Sequence, residues 1–96
     1  MKIIFVKKIK ADGNACKKCV DVEKRLRDND QLDGIDEIVI ADERDQNSPG
    51  MQLAKLHRVD VAPFFLVEQD DGTSRVYTIY FQFVKEVLQG LTKKVA

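Results

Sequence analysis

Cys16-Lys17-Lys18-Cys19, lying where a strand pattern gives way to a helical one, decides how this chain reads. Upstream stands Ile3-Ile4-Phe5-Val6, a short β-branched and aromatic run that suits a strand buried on both faces. Asp12-Gly13-Asn14 marks a turn between the two. Downstream, Cys19, Val22 and Leu26 recur at i, i+3 and i+7, which predicts a helix over Cys16 to Asp30 with one inward stripe. On the outer face Asp21 precedes Arg25, and Glu23 precedes Arg27, by four residues. Each such pair is worth about 0.2–0.5 kcal/mol. A two-residue gap on the first turn of a helix lets both sulfurs meet, so the pair can cycle between dithiol and disulfide.

These are the only two cysteines among 96 residues. Two cysteines placed at random over this length would fall at this gap about once in fifty placements, so spacing alone is suggestive and context carries the rest. Two are too few for a disulfide framework, and a closed all-cysteine zinc or iron–sulfur site in one chain takes four. Zinc would need two further ligands. The only histidine, His57, falls at the end of a predicted helix, where it reads as a surface residue favourable to the helix dipole. An iron–sulfur cluster shared by the cysteines of two chains is the remaining metal alternative. No metal and no cofactor are expected.

Length and composition bound the rest. The chain is one domain, 1–96, with 44% apolar and 33% charged residues. Sixteen basic and sixteen acidic residues cancel, which gives no reason to expect nucleic acid or an anionic membrane as partner. No apolar run approaches the roughly 20 residues that span a bilayer, and Ile3 to Val6 is too short for a secretory core. A cytoplasmic monomer with reduced thiols is expected.

Further along, Glu37 to Ala41 predicts a second strand, and Asp42 to Asn47 a loop. Ser48 and Pro49 are cap and first residue of a second helix, with Met51, Leu53, Ala54 and Leu56 as its apolar side. Val59 to Ala62 reads as extended and Phe64 to Val67 as a third strand. Asp70-Asp71-Gly72 turns the chain into a fourth strand over Arg75 to Ile79. Tyr80, Phe83, Val84, Val87, Leu88 and Leu91 form a last amphipathic helix and read as core. The order is βαβαββα, an α/β layered sheet.

At this point the chain resembles the thioredoxin-like superfamily, nearest in size to glutaredoxins and small thioredoxins. The resemblance covers essentially the whole length. It rests on Cys16-Lys17-Lys18-Cys19 after the first strand, on Val61-Ala62-Pro63 before the third, and on the element order. It implies a four-stranded mixed sheet flanked by three helices, in strand order 2-1-3-4. It also implies a cis peptide before Pro63, facing the cysteines, with the Ala62 backbone binding a substrate strand. This chain has no tryptophan; Ala15 stands where thioredoxins carry one, and two lysines replace their Gly-Pro. Thr78-Ile79-Tyr80-Phe81 has neither the glycine pair nor the acid with which glutaredoxins grip glutathione, so that mode of binding is not expected.

The expected function is therefore thiol–disulfide exchange, reducing protein or small-molecule disulfides with electrons from an external reductase or dithiol donor. Cys16, at the helix start, feels the positive end of the dipole, which favours the nucleophilic thiolate. Cys19, on the apolar stripe, is the resolving thiol. Lys17 and Lys18 add positive charge, and Ala62 with Pro63 forms the substrate platform. The alternative is a binding module of the same fold whose cysteine pair is structural or metal-binding and turns nothing over.

Overall fold

The structure, a computed structural model, describes residues 1–89. It is an α/β fold built on one four-stranded mixed sheet, in the order β2-β1-β3-β4. The strands are β1 (Lys2–Ile9), β2 (Glu37–Asp42), β3 (Phe64–Glu68) and β4 (Ser74–Tyr77). The helices are α1 (Lys17–Asp28), α2 (Pro49–His57) and α3 (Tyr80–Phe83), and α3 runs on as a π-helical turn over Val84–Leu88. A single 3₁₀ turn, Leu32–Gly34, leads from α1 toward β2.

β1 lies between β2 and β3, parallel to the first and antiparallel to the second. Ile3, Ile4, Phe5 and Val6 are all buried, so successive residues feed opposite faces. Ile3 and Phe5 join Phe65, Val67 and Tyr77 beneath α1 and α3. Ile4 and Val6 join Phe64, Leu66, Val39 and Ala41, against which Met51, Leu53 and Ala54 of α2 are packed. Two cores thus sandwich one sheet. In the first, Phe83 stacks on Phe65 with ring centroids 3.9 Å apart and meets Tyr77 edge-on at 5.8 Å.

Several sequence expectations change in detail. β1 runs to Ile9, beyond the apolar run, because its far half is held by β2 through the pairs Lys7–Ile40, Lys8–Ala41 and Ile9–Asp42. The first helix starts at Lys17 with Cys16 as its cap and ends before Asn29. Glu23 pairs with Arg27 at 3.3 Å, but Arg25 lies over the Phe81 ring, 5.5 Å from its centroid, instead of pairing with Asp21. A flat guanidinium gains more on a ring that the tertiary fold supplies than on an exposed carboxylate. Ser48 does precede α2, yet its hydroxyl oxygen accepts the Asp42 amide at 3.0 Å instead of a helix N–H. Leu56 points to solvent, 74% exposed, because α2 covers the sheet through its other side. Residues 61–63 bend instead of running extended, and β4 stops at Tyr77, leaving Ile79 exposed. The last helix buries Phe83, Val84, Val87 and Leu88 as its periodicity indicated, with Tyr80 partly buried. Leu91 lies outside the described residues.

Candidate functional site

The cysteines sit where β1 hands over to α1. After Ile9 the chain makes a tight excursion: Gly13 takes a positive φ of 86°, which glycine adopts without strain, and donates to the Lys10 carbonyl at 2.9 Å. The chain then returns to the strand it left. Ala15 bridges to Ile9, and the Cys16 amide donates to the Lys8 carbonyl at 3.1 Å. Helix α1 therefore begins against the end of β1, with Cys16 in extended conformation as its N-cap.

Cys16 fills the role usually taken by a serine or aspartate. Its Sγ accepts the amide of Cys19 at 3.4 Å, satisfying one of the helix's orphan donors. Its carbonyl accepts the Val20 amide at 3.0 Å. Cys16 is half-buried and Cys19 is only 2% exposed, and the two sulfurs are not bridged. Cys19 Sγ also accepts the backbone amide of Lys8, at 3.4 Å. Burial, first of all, pushes the Cys19 thiol up to about 12, and the hydrogen-bonded neighbour Cys16 adds to it. The Lys8 amide and the Lys8 charge pull the other way.

The Lys17 and Lys18 side chains are exposed and form no hydrogen bond or ion pair with any described residue. Lys18 borders a shallow depression shared with Arg25, Ile79 and Phe81. Ala62 is half-buried and Pro63 buried, and the peptide bond between them is cis. The antiparallel register ends with Val6 opposite Phe64. Before that pair the chain bends through residues 61–63, and Ala62 lines the same cleft as Lys8. The cysteines and the Ala62-Pro63 segment thus share one end of the sheet, with Lys8 between them. A cleft of about 500 Å³ opens there, lined by Lys8, Ala62, Val6, Met51, Arg58 and Phe64 among others.

Lys8 and Glu43 are the residues that sequence reasoning missed. Lys8 holds both cysteines through its backbone, and its Nζ stands 3.9 Å from Glu43 Oε2. Neither residue belongs to a motif, so no signal in the sequence joins them; they meet because β1 and β2 pair in parallel with Ile9 opposite Asp42. A smaller cavity of about 210 Å³ is lined by Cys19 together with Lys7, Lys8 and Glu23. Lys7 Nζ and Glu23 Oε1 close an ion pair at 2.8 Å.

Comparison with known proteins finds no matching family model, no matching curated protein and no matching solved structure. The geometry must speak for itself. An accessible sulfur on a helix N-terminus, one turn from a buried sulfur, can form a mixed disulfide and then an internal one. No three or more His, Cys, Asp or Glu side chains among the described residues gather in a way that could hold a metal ion. No described helix is long and apolar enough to cross a membrane.

Proposed function

We propose that this chain is a thiol–disulfide oxidoreductase of the thioredoxin-like type. Cys16 attacks a substrate disulfide and Cys19 resolves the resulting mixed disulfide. One observation carries the reading: the sulfur of Cys16 caps α1 by accepting the Cys19 amide at 3.4 Å, while Cys19 itself is 2% exposed. A partly accessible sulfur bathed in the field of a helix N-terminus is suited to attack. A buried sulfur one turn on is suited to strike the first and to nothing outside the protein. A capping role alone calls for only one side-chain acceptor, and serine or aspartate supplies a better one at no redox liability.

The order β2-β1-β3-β4 and the Ala62-Pro63 segment at the cysteine end of the sheet support the same reading. The Ala62 backbone is the platform for a substrate strand, and Lys17 and Lys18 are the exposed charges met by an approaching partner. The substrate is a disulfide-bearing protein or small thiol compound, and electrons return from an external reductase or dithiol. The protein acts as a cytoplasmic monomer.

A redox titration of the Cys16–Cys19 couple, followed by mass-resolved alkylation, tests this. A reversible two-electron transition between about −270 and −120 mV is expected, the span of working dithiol oxidoreductases. Catalysed reduction of insulin disulfides by dithiothreitol, abolished by Cys16→Ser, is expected as well. A pair that forms no internal disulfide at any poise would leave a binding module with an inert or metal-binding cysteine pair.

A further inference from the structure

The cleft of about 500 Å³ beside Ala62 is closed at its bottom by the buried residues Val6, Ala41 and Phe64. Met51, Ala54 and Val59 are partly buried along it, and Val61, 47% exposed, adds an apolar side chain open to solvent. An apolar hollow of about 300–1,000 Å³ with a few charged groups around it has the usual form of a ligand site. Lys8, Lys55, Arg58, Glu43 and Asp60 are the charged residues that border this one. Lys8 leans on Glu43 at 3.9 Å. Lys55 Nζ donates to the uncharged Gln46 carbonyl at 3.4 Å, and the Arg58 and Asp60 side chains form no hydrogen bond or ion pair with any described residue. The uncompensated charges are therefore Lys55 and Arg58 against Asp60, an excess of positive charge.

Arg58 is also costly where it stands. It ends α2 in the left-handed region, with φ 56° and ψ 45°. Glycine takes such a cap without strain, and any larger side chain there lowers stability. The guanidinium returns nothing to the fold through a bond of its own. An unpartnered cation on a strained cap, beside an apolar cleft, is placed for an anion that the chain does not supply.

We infer that this cleft selects the substrate: it takes a disulfide-bearing peptide with a bulky apolar residue next to the half-cystine and an acidic residue two positions beyond. The inference rests on the redox reading above and deepens it, since Ala62 belongs both to the cleft and to the platform for the substrate strand. Cys16 caps α1 on one side of the sheet, whereas the cleft lies under α2 on the other. An extended chain sends successive side chains to opposite sides. A half-cystine turned to Cys16 therefore turns the adjacent side chain, and the one two further on, toward the cleft. The first fills the apolar hollow and the second meets Arg58. The apolar contact carries more of the preference, because an exposed ion pair is weak and screened by salt.

The test uses the reduced full-length chain and four peptides, EGLCLGE, QGLCLGQ, KGLCLGK and EGGCGGE. Each is blocked at both ends, and its cysteine is linked by a disulfide to 2-nitro-5-thiobenzoate. The Cys16 thiolate attacks the peptide sulfur, and the coloured thiolate leaves with the electron pair of the broken bond. Cys19 then closes the internal disulfide and releases the peptide thiol, which is followed by chromatography. Rates of colour release are divided by those with 2-mercaptoethanol, which removes the intrinsic reactivity of each peptide. EGLCLGE is expected to react about tenfold faster than EGGCGGE. It is expected to react about two- to fivefold faster than QGLCLGQ, with KGLCLGK slower still, and this second preference is expected to shrink in about 1 M salt. Arg58→Gly relieves the cap, so it is expected to fold at least as well as wild type; it is expected to lose the acid preference and keep the apolar one. Ala54→Met narrows the cleft and is expected to lower the apolar preference. Four peptides reacting within about twofold of one another, or an acid preference intact in Arg58→Gly, overturn the inference and leave the redox reading standing. A wild type that releases colour but never the peptide thiol overturns the redox reading itself, and this inference with it.

Discussion

Gly50, on the first turn of α2, lies directly against the backbone of Ala41 in β2. A Cβ placed on Gly50 would fall 2.6 Å from the Ala41 Cα and would also crowd the Ala41 nitrogen and the Ile40 carbonyl carbon. This is the closest approach of helix to sheet at any described glycine, and the neighbouring atoms are main chain, which cannot turn aside.

Gly50→Ala is therefore expected to destabilise the fold. Alanine gains up to about 1 kcal/mol in helix propensity, but overpacking a well-filled contact costs about 1–3 kcal/mol, and here the cost wins. Urea denaturation measures it. A Gly50→Ala protein as stable as wild type would show that α2 can lift off β2 freely.

Phe83 is fully buried between Phe65 and Tyr77, and it is the main anchor of α3 on the sheet. Its replacement by alanine is expected to cost about 3–5 kcal/mol. At about 4–8 °C per kcal/mol for a domain of this size, thermal unfolding is expected at a temperature lower by 10 °C or more. Differential scanning calorimetry checks this.

Glu23 accepts both Lys7 and Arg27, but Lys7 and Arg27 are substantially solvated and the pairs are not sealed from water. Glu23→Gln is expected to cost about 1 kcal/mol or less, and the difference is expected to shrink as salt is raised from 0.05 to about 1 M. A loss of several kcal/mol that ignores salt would mark the pair as buried in fact.

Cys19 links stability to pH in a definite direction. Burial, its first cause, raises its folded-state value from an ordinary 9.0 to about 12, so the folded chain holds a proton that the unfolded chain releases. The contribution is fully present below pH 9 and is lost as pH climbs from 9 toward 12. The stability advantage of the reduced wild type over Cys19→Ala is expected to be flat up to about pH 8 and to fall above pH 9. In the same range iodoacetamide is expected to label Cys16 in the folded chain and Cys19 only after unfolding. Labelling of Cys19 at the rate of Cys16 under native conditions would contradict both.

Much of the architecture was legible in the chain. A run of four apolar, β-branched and aromatic residues suits a strand covered on both faces, and Ile3 to Val6 are buried in just that way, odd residues to one core and even to the other. Cys19, Val22 and Leu26 share one face because a helix repeats every 3.6 residues, whatever surrounds it. The cysteine pair at a helix start was legible for the same reason: its spacing and the elements around it are local facts.

Partner choice was not legible. Arg25 had a carboxylate four residues away and took a ring 56 positions on; Ser48 had helix amides beside it and bonded a strand amide instead. Short polar side chains and long cationic ones have several near-equal options, and the one adopted depends on what the rest of the chain brings close. Leu56 is the apolar counterpart. It fits the helix pattern of α2, yet a nine-residue helix on an edge strand has no second layer to receive it.

Local sequence thus determined the elements, their order and the two sulfurs, since hydrophobic periodicity and capping act within a few residues. Tertiary structure alone decided that Lys8 would hold both cysteines, that Glu43 would face Lys8, and that Ala62 and Pro63 would share their end of the sheet. Those neighbours are set by strand register, and register is a collective choice made when whole faces are buried together.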